Sequence, residues 1–233
     1  MNPKLIGANI IDCIPIPGKC PNNCNPCFYN EPGFYHDINI PLLPTLEEVG
    51  TKIVRVNSGR DSTIDFDQVI ELTKIYPKKF YNTSLPGKIL DFPSPVVFTC
   101  NSKSDKWYTS LFKPDNLMAI RVRTTTWNTK LVDDVVDHYT KLEIPVILTF
   151  LFYSEQHIGN SFNKNDIDKY EKVKHITNER YFIKPLYWLD ITSKYKNNSN
   201  VYTCGTINSP LCKYCRNCEK LYEKAIMKFG MVK

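Results

Sequence analysis

The sequence lacks the long apolar stretches that mark membrane-spanning and exported proteins. No segment contains about 18 uninterrupted apolar residues, and residues 1–30 lack the basic start and continuous apolar run of a signal peptide. We therefore expect a cytoplasmic protein that has no contact with a membrane.

Several familiar catalytic motifs are also absent. The sequence contains no phosphate-binding loop, no serine-hydrolase elbow and no paired-carboxylate signature. Its 4 histidines do not have the spacing of metal ligands. Cysteine is therefore the residue type whose arrangement indicates a chemistry.

The 9 cysteines are unevenly placed along the 233 residues. Seven of them lie in two tight clusters near opposite ends of the chain. Because the chain is neither small nor signalled for export, this pattern favours metal binding over a disulfide framework. The other two, Cys13 and Cys100, fall in predicted strands, where a small buried side chain is the expected role.

Short β-rich runs alternate with polar or helical stretches along the chain. This rhythm predicts an α/β fold, with βα units around a largely parallel sheet. The six predicted strands cover residues 8–16, 52–57, 95–100, 117–123, 145–153 and 181–188.

Helices are predicted between these strands. Residues 66–76 follow the second strand with Asp65 as N-cap, residues 129–142 follow the fourth, and residues 166–175 form a third helix. The proline-rich segments 31–50 and 77–94 are expected to be loops or irregular crossovers.

The first cysteine cluster lies in the stretch PGKCPNNCNPCFYN, directly after the first predicted strand. It contains Cys20, Cys24 and Cys27 on a loop whose prolines exclude regular structure. Three thiolates leave one iron of a 4Fe-4S cube free to bind something else, whereas structural zinc normally takes four ligands. The zinc alternative needs a fourth ligand, such as His36.

This CX3CX2C spacing after strand one, in a chain of about six βα units, resembles the radical S-adenosylmethionine (radical SAM) superfamily. The resemblance implies a partial (βα)6 TIM-like barrel over residues 1–193. It implies that the three cysteines hold a 4Fe-4S cluster whose unique iron chelates S-adenosylmethionine. An electron from a flavodoxin- or ferredoxin-like donor then cleaves the sulfonium, and the 5′-deoxyadenosyl radical abstracts hydrogen from a substrate at the carboxyl ends of the strands.

The resemblance also implies which residues contact the cofactor. The turn after strand two has Gly59, Arg60 and Asp61 where the family usually has Gly-Gly-Glu, which binds the amino group. Pro26 replaces the usual aromatic residue before the third cysteine, so that Phe28 or Tyr29 takes over the adenine contact. The expected cofactor contacts are Tyr29, Gly59, Asp61, Ser62, Asn101, Arg121, Arg123 and Thr125.

The second cysteine cluster has the spacing CX7CX2CX2C and comprises Cys204, Cys212, Cys215 and Cys218. Four thiolates can close either a zinc site or an iron-sulfur cluster. The resemblance favours a second, auxiliary 4Fe-4S cluster, with zinc as the alternative. We expect residues 194–233 to form a small cysteine-rich extension, entered through the asparagine-rich run 194–200.

The extension also carries the whole net charge of +6, because residues 194–233 contain eight basic and two acidic residues. These cations either contact phosphate or balance anionic cysteine-bound metal. A nucleotide or RNA substrate is therefore favoured over a peptide. The alternative hypothesis is a non-catalytic zinc protein with two structural cysteine sites and a basic tail that binds nucleic acid.

Overall fold

The computed structural model describes residues 3–24, 27, 29, 39–57, 59–100, 113–150, 164–175 and 178–230. Its main element is an all-parallel sheet of seven strands in sequential order, curled into a half-barrel. The strands of this sheet are β1 (Ile10–Cys13), β2 (Ile53–Val56), β3 (Lys79–Thr83), β4 (Val96–Cys100), β5 (Leu117–Arg123), β6 (Val146–Thr149) and β9 (Val201–Thr203). The fold class is therefore α/β, compatible with a partial TIM-like barrel.

Two further strands, β7 (Tyr170–His175) and β8 (Asn178–Ile183), form a separate antiparallel pair. The α-helices are α1 (Leu46–Val49), α2 (Phe66–Thr73), α3 (Thr129–Lys141), α4 (Pro185–Ser193), α5 (Cys212–Cys215) and α6 (Asn217–Phe229). Short 3-10 helices cover Pro3–Leu5, Pro86–Asp91 and Lys164–Lys169.

The outer face of the half-barrel packs on helices α1 to α4. Alternate strand residues such as Val54, Phe98 and Val122 point to this face and join Val69 of α2 and Val135 of α3 in the larger core cluster. Cys13 and Cys100 belong to the same cluster and are 0% exposed. Their predicted burial is confirmed.

The inner face has an apolar half and a polar half. Near the amino ends of the strands it presents Ile10, Ile53, Phe80, Val97, Ala119 and Ile147, which pack on Leu221, Tyr222 and Ala225 of α6. Two residues further along each strand, the same face presents the polar side chains of Asp12, Arg55, Asn82, Thr99, Arg121 and Thr149. Helix α6 therefore fills the amino half of the half-barrel and leaves the carboxyl half open.

The C-terminal segment joins the two edges of the sheet. Strand β9 pairs with β6 at one edge, and α5 contacts the 3-10 helix Pro3–Leu5 beside β1 at the other. Asn9 also donates to Glu219 of α6 at 3.1 Å. The proposed boundary between residues 193 and 194 stays a prediction, and the residues after it pack directly on the sheet.

Several predicted elements agree with the structure. Strand β5 has the predicted bounds, and α3 ends one residue before the predicted helix does. Strands β1, β2 and β4 lie within their predicted ranges. Strand β6 starts one residue after the predicted start and ends at Thr149, and residues 151–153 of that prediction lie outside the described part of the chain.

Other predicted elements are wrong. Segment 77–94 contains β3, which adds a strand to the sheet between the second and third predicted strands. Residues 181–188 do not form a barrel strand, because β8 pairs with β7 and Pro185 starts α4. The helix predicted at 166–175 is a 3-10 turn followed by β7. Strand β9 was not predicted either, and the gain of β3 and β9 with the loss of residues 181–188 gives a sheet of seven strands rather than six.

Asp65 stands at the N-cap position of α2 but does not cap the helix with its side chain. Its backbone is left-handed, and its carboxylate accepts a bond from Arg60 instead. No helix in the described part of the chain has the length and apolar character needed to cross a membrane.

Candidate cofactor site

An open cleft lies at the carboxyl edge of the half-barrel. Its described lining consists of Cys20, Asn22, Cys24, Cys27, Asn57, Gly59, Arg60, Asp61, Asn82, Thr83, Ser84, Thr99, Arg121, Arg123 and Thr149. This described lining contains thiols, amides, hydroxyls and guanidinium groups but no large apolar side chain. The cleft is therefore suited to a polar ligand.

The three cysteines of the first cluster reach this cleft from the loop that follows β1. Cys20 is buried, Cys24 and Cys27 are half-buried, and none of the three forms a disulfide. Across the residues that the structure describes, no three His, Cys, Asp or Glu side chains converge closely enough to hold a metal ion. The three thiols thus line one cleft without surrounding a single ion, whereas in a 4Fe-4S cube each thiolate binds a different iron.

Hydrogen-bond donors point at two of these sulfurs. Burial raises the pKa of the Cys20 thiol, and the backbone N–H groups of Asn22 and Asp61, which donate to its sulfur, oppose that rise. The side-chain amide of Asn22 donates to Cys24 Sγ at 3.2 Å. Because N–H donors stabilise anionic sulfur, this donor set fits cysteines that act as metal-bound thiolates.

Arg60 holds the cysteine loop against the turn after β2. Its Nη1 donates to the backbone carbonyls of Pro17, Gly18 and Lys19 at 3.2, 3.1 and 3.1 Å, and its Nη2 donates to Asp65 Oδ2 at 2.8 Å. Arg60 thus fixes the backbone immediately before Cys20.

Gly59 is required by the close approach of Tyr29. A Cβ atom at position 59 would lie 2.2 Å from the ring of Tyr29, closer than any real contact. Tyr29 is only 1% exposed, and its hydroxyl donates to Gly18 O at 3.3 Å. In this structure, Tyr29 therefore packs beneath the turn and is not among the described residues that line the cleft.

Asp61 lines the cleft, but its carboxylate is heavily used within the protein. Oδ1 accepts bonds from Thr63 N at 2.9 Å and Thr83 Oγ1 at 2.7 Å. Oδ2 accepts bonds from Ser84 N at 2.7 Å and Ser84 Oγ at 2.9 Å. Asp61 thus connects the turn after β2 to the end of β3, and a ligand ammonium would have to share these oxygens.

The inner wall of the cleft has polar groups that are available for a ligand. Arg121 Nη1 donates to Asn82 Oδ1 at 3.0 Å, and no carboxylate among the described residues pairs with Arg121. The amide of Asn57 and the hydroxyl of Thr149 are buried and have no hydrogen-bond partner in the described part of the protein. Because unsatisfied buried polar groups are costly, these side chains favour a bound polar or anionic group.

The second cysteine cluster lies against the inner face below this cleft. Cys204, Cys212 and Cys218 pack on the apolar residues that α6 covers. Burial raises the pKa of Cys212 to about 12 and also raises the pKa of Cys218, while Arg121 and Arg55 act on Cys218 in the opposite direction. Cys215 lines a separate cavity beside β9. Cys204, Cys218 and Cys215 also act to raise the pKa of Cys212, but the four thiols, like the first three, do not converge on one ion.

Apart from Tyr29, which packs beneath the turn, the predicted cofactor residues divide into three groups. Gly59, Asp61, Arg121 and Arg123 line the cleft. Ser62 is buried beside it, and Thr125 binds the side chain of Asn128 at the start of α3. Asn101 lies outside the described residues, as does His36, the fourth ligand considered for zinc.

Several lining residues were not predicted. Asn82, Thr83 and Ser84 were missed because β3 was not recognised, although alternation along a parallel strand would have placed Asn82 on the inner face. Thr149 is the last residue of β6, but the predicted strand runs to residue 153 and so placed Thr149 in mid-strand rather than at the carboxyl edge. Asn22 gave no signal beyond its place between two cysteines.

Comparisons with protein-family models, with curated proteins and with solved structures found no match to this chain.

Proposed function

We propose that this protein is a cytoplasmic radical SAM enzyme that binds a 4Fe-4S cluster through Cys20, Cys24 and Cys27. The observation that carries the proposal is that these three thiols line one polar cleft at the carboxyl edge of a parallel half-barrel. A cluster held by these cysteines would pass one electron from the external reductant to S-adenosylmethionine, whose cleavage would give methionine and a 5′-deoxyadenosyl radical that takes hydrogen from the substrate. The fold is interpreted as a (βα)6-type barrel with one added edge strand.

The chain's own residues would hold the cofactor by charge and hydrogen bonding. Arg121, which has a neutral amide partner, would bind the cofactor's carboxylate, with Arg123 beside it on the same face of β5. Asn57 and Thr149 would gain the hydrogen bonds that they lack in the described structure. Asp61 would take the ammonium through oxygens that it already shares with the β3 loop.

The second cluster is proposed to bind a further metal centre through Cys204, Cys212, Cys215 and Cys218, either a second 4Fe-4S cluster or zinc. Burial raises the pKa of Cys218, and Arg121 and Arg55 oppose that rise, so that their positive charge would help to hold this sulfur as a thiolate on a bound metal. The external reductant is proposed to be flavodoxin- or ferredoxin-like, and the substrate to be a nucleotide or RNA that the basic C-terminal residues attract.

Anaerobic reconstitution of the full chain with iron and sulfide tests the proposal. We expect a brown protein that binds at least one 4Fe-4S cluster and releases 5′-deoxyadenosine from S-adenosylmethionine when it is reduced. Replacing Cys20, Cys24 or Cys27 by alanine should abolish this release. Cys13→Ala is the matched control, because Cys13 points to the outer core and should leave the release intact.

Two outcomes would contradict the proposal. One is a colourless protein that binds zinc alone, as the non-catalytic hypothesis requires. The other is retained cleavage of S-adenosylmethionine in Cys27→Ala. Loss of substrate turnover alone in Cys215→Ala, with 5′-deoxyadenosine still formed, would assign the C-terminal centre an accessory role.

A further inference from the structure

The side chain of Asn22 lies between the sulfur of Cys24 and the hydroxyl of Ser84. Its Nδ2 donates to Cys24 Sγ at 3.2 Å and to Ser84 Oγ at 2.7 Å. An amide nitrogen carries two protons, so both bonds form at once. Asn22 therefore has a fixed orientation, with one N–H directed at the sulfur.

Ser84 holds the amide in that orientation. Its hydroxyl lies 2.9 Å from Asp61 Oδ2 and 3.8 Å from Cys24 Sγ. The carboxylate of Asp61 acts as an acceptor toward two backbone N–H groups and two hydroxyls, so the single proton of Ser84 belongs to Asp61. Asn22, rather than Ser84, is thus the donor to the Cys24 sulfur.

A donor at this position affects the two redox states of a metal centre differently. Reduction places more negative charge on the cluster and its thiolates, and an N–H dipole directed at a thiolate stabilises that charge. Hydrogen bonds to the sulfurs are among the features that set the potentials of iron-sulfur clusters. Removing the donor should therefore make the centre harder to reduce.

We propose that Asn22 raises the reduction potential of the centre bound by Cys20, Cys24 and Cys27, and that Ser84 and Asp61 position it for this task. The inference rests on the proposed function, since it requires a cluster at these cysteines. Asn22 is a positioning and tuning residue in this scheme, because it contacts a ligand sulfur rather than the substrate.

A redox titration of the reconstituted full chain, followed by electron paramagnetic resonance without S-adenosylmethionine, tests the inference. In Asn22→Leu we expect about a tenfold fall in the one-electron reduction equilibrium, which corresponds to ~59 mV. Asn22→Asp should have a still lower potential, since it replaces the donor by a negative charge of similar size. A Cys212→Ala/Cys215→Ala background, which leaves only two of the four C-terminal thiols, confines the titration to the first centre if the C-terminal cysteines also bind a cluster.

Asn197→Leu is the control, because Asn197 is exposed and follows α4 near the amino edge of the sheet. It should have the wild-type potential. An Asn22→Leu or Asn22→Asp protein with a full cluster at the wild-type potential overturns this inference and leaves the proposed function standing. Failure of both variants to assemble a cluster assigns Asn22 to assembly rather than tuning and also overturns it, whereas a wild-type chain that binds no cluster refutes both proposals.

Discussion

Replacing Arg60 by methionine is expected to release the cysteine loop from the turn after β2. Arg60 is 9% exposed, and its Nη1 bonds three consecutive backbone carbonyls from Pro17 to Lys19. Methionine keeps much of the side-chain volume but offers no donor, so these carbonyls lose their charged partner.

The size of the effect follows from these contacts. Nη1 has two protons for three carbonyls, so the contacts amount to two shared bonds, and a hydrogen bond to a charged group contributes about 1.5–3 kcal/mol. Pro17 and Lys19 are exposed, and water can replace part of what is lost. We expect the free energy of unfolding to fall by about 2–4 kcal/mol, which lowers the melting temperature of a chain of this size by roughly 4–16 °C.

Thermal unfolding of the metal-free full chain, followed by circular dichroism, measures this change. Asp65→Asn is the control because it removes only the ion pair with Arg60, and asparagine is well tolerated at the left-handed backbone of position 65. The Asp65 side chain is 43% exposed, so this variant should lose at most about 1 kcal/mol. If Arg60→Met melts no lower than Asp65→Asn, the carbonyl contacts do not hold the loop and the reasoning is wrong.

Three further predictions concern the same fold. Leu221→Ala should lower the free energy of unfolding by about 2–4 kcal/mol, because Leu221 packs against the inner face and is only 1% exposed. The control Met227→Ala, at a residue that is 76% exposed, should change the free energy of unfolding by less than about 0.5 kcal/mol. Equal losses for the two variants in urea titrations would contradict the packing of α6. Gly59→Ala should lower the free energy of unfolding by about 1–3 kcal/mol, because the new Cβ would clash with the ring of Tyr29. Adding Tyr29→Leu to the same chain should recover part of that loss, whereas additive losses would argue against the contact. Burial raises the pKa of Tyr81 to about 12, above the usual tyrosine value of about 10. The stability that this protonated hydroxyl contributes should therefore be complete below pH ~10 and decline as the pH rises to about 12. A difference in unfolding free energy between wild type and Tyr81→Phe that stays constant across this pH range would refute the prediction.

The sequence predicted those elements whose side-chain pattern is long and regular. Strand β5 has seven residues with continuous burial on the outer face, and α3 has an apolar stripe of four buried residues, so both periodicities are clear. Strand β3 was missed because prolines surround it and its carboxyl end is polar. That polar end consists of Asn82 and Thr83, which are part of the cleft wall. The polar residues that make β3 hard to recognise in the sequence are therefore the residues that line the site.

The sequence predicted those site residues that belong to short motifs next to recognisable strands. The three cysteines and the turn at Gly59 and Asp61 are close in sequence to recognisable strand ends, and they line the cleft together. The contact between Asn22 and Ser84 spans 62 positions and depends on β1 and β3 lying two strands apart in the sheet. No local pattern contains that information, because it follows from strand order.

The division of the inner face explains why both cysteine groups lie near the same arginines. Helix α6 covers the apolar amino half of the face, and this brings Cys218 beneath the first polar layer, where Arg55 and Arg121 act on its pKa. Arg55 is bound to Asp12 at 2.8 Å, but Arg121 also lines the cleft that holds the first cysteine group. Negative charge on the C-terminal thiols therefore attracts a cation that a cleft ligand would also use. Because one guanidinium faces both groups, a change of charge at the C-terminal cysteines alters the electrostatic environment of the cleft without a change in the fold.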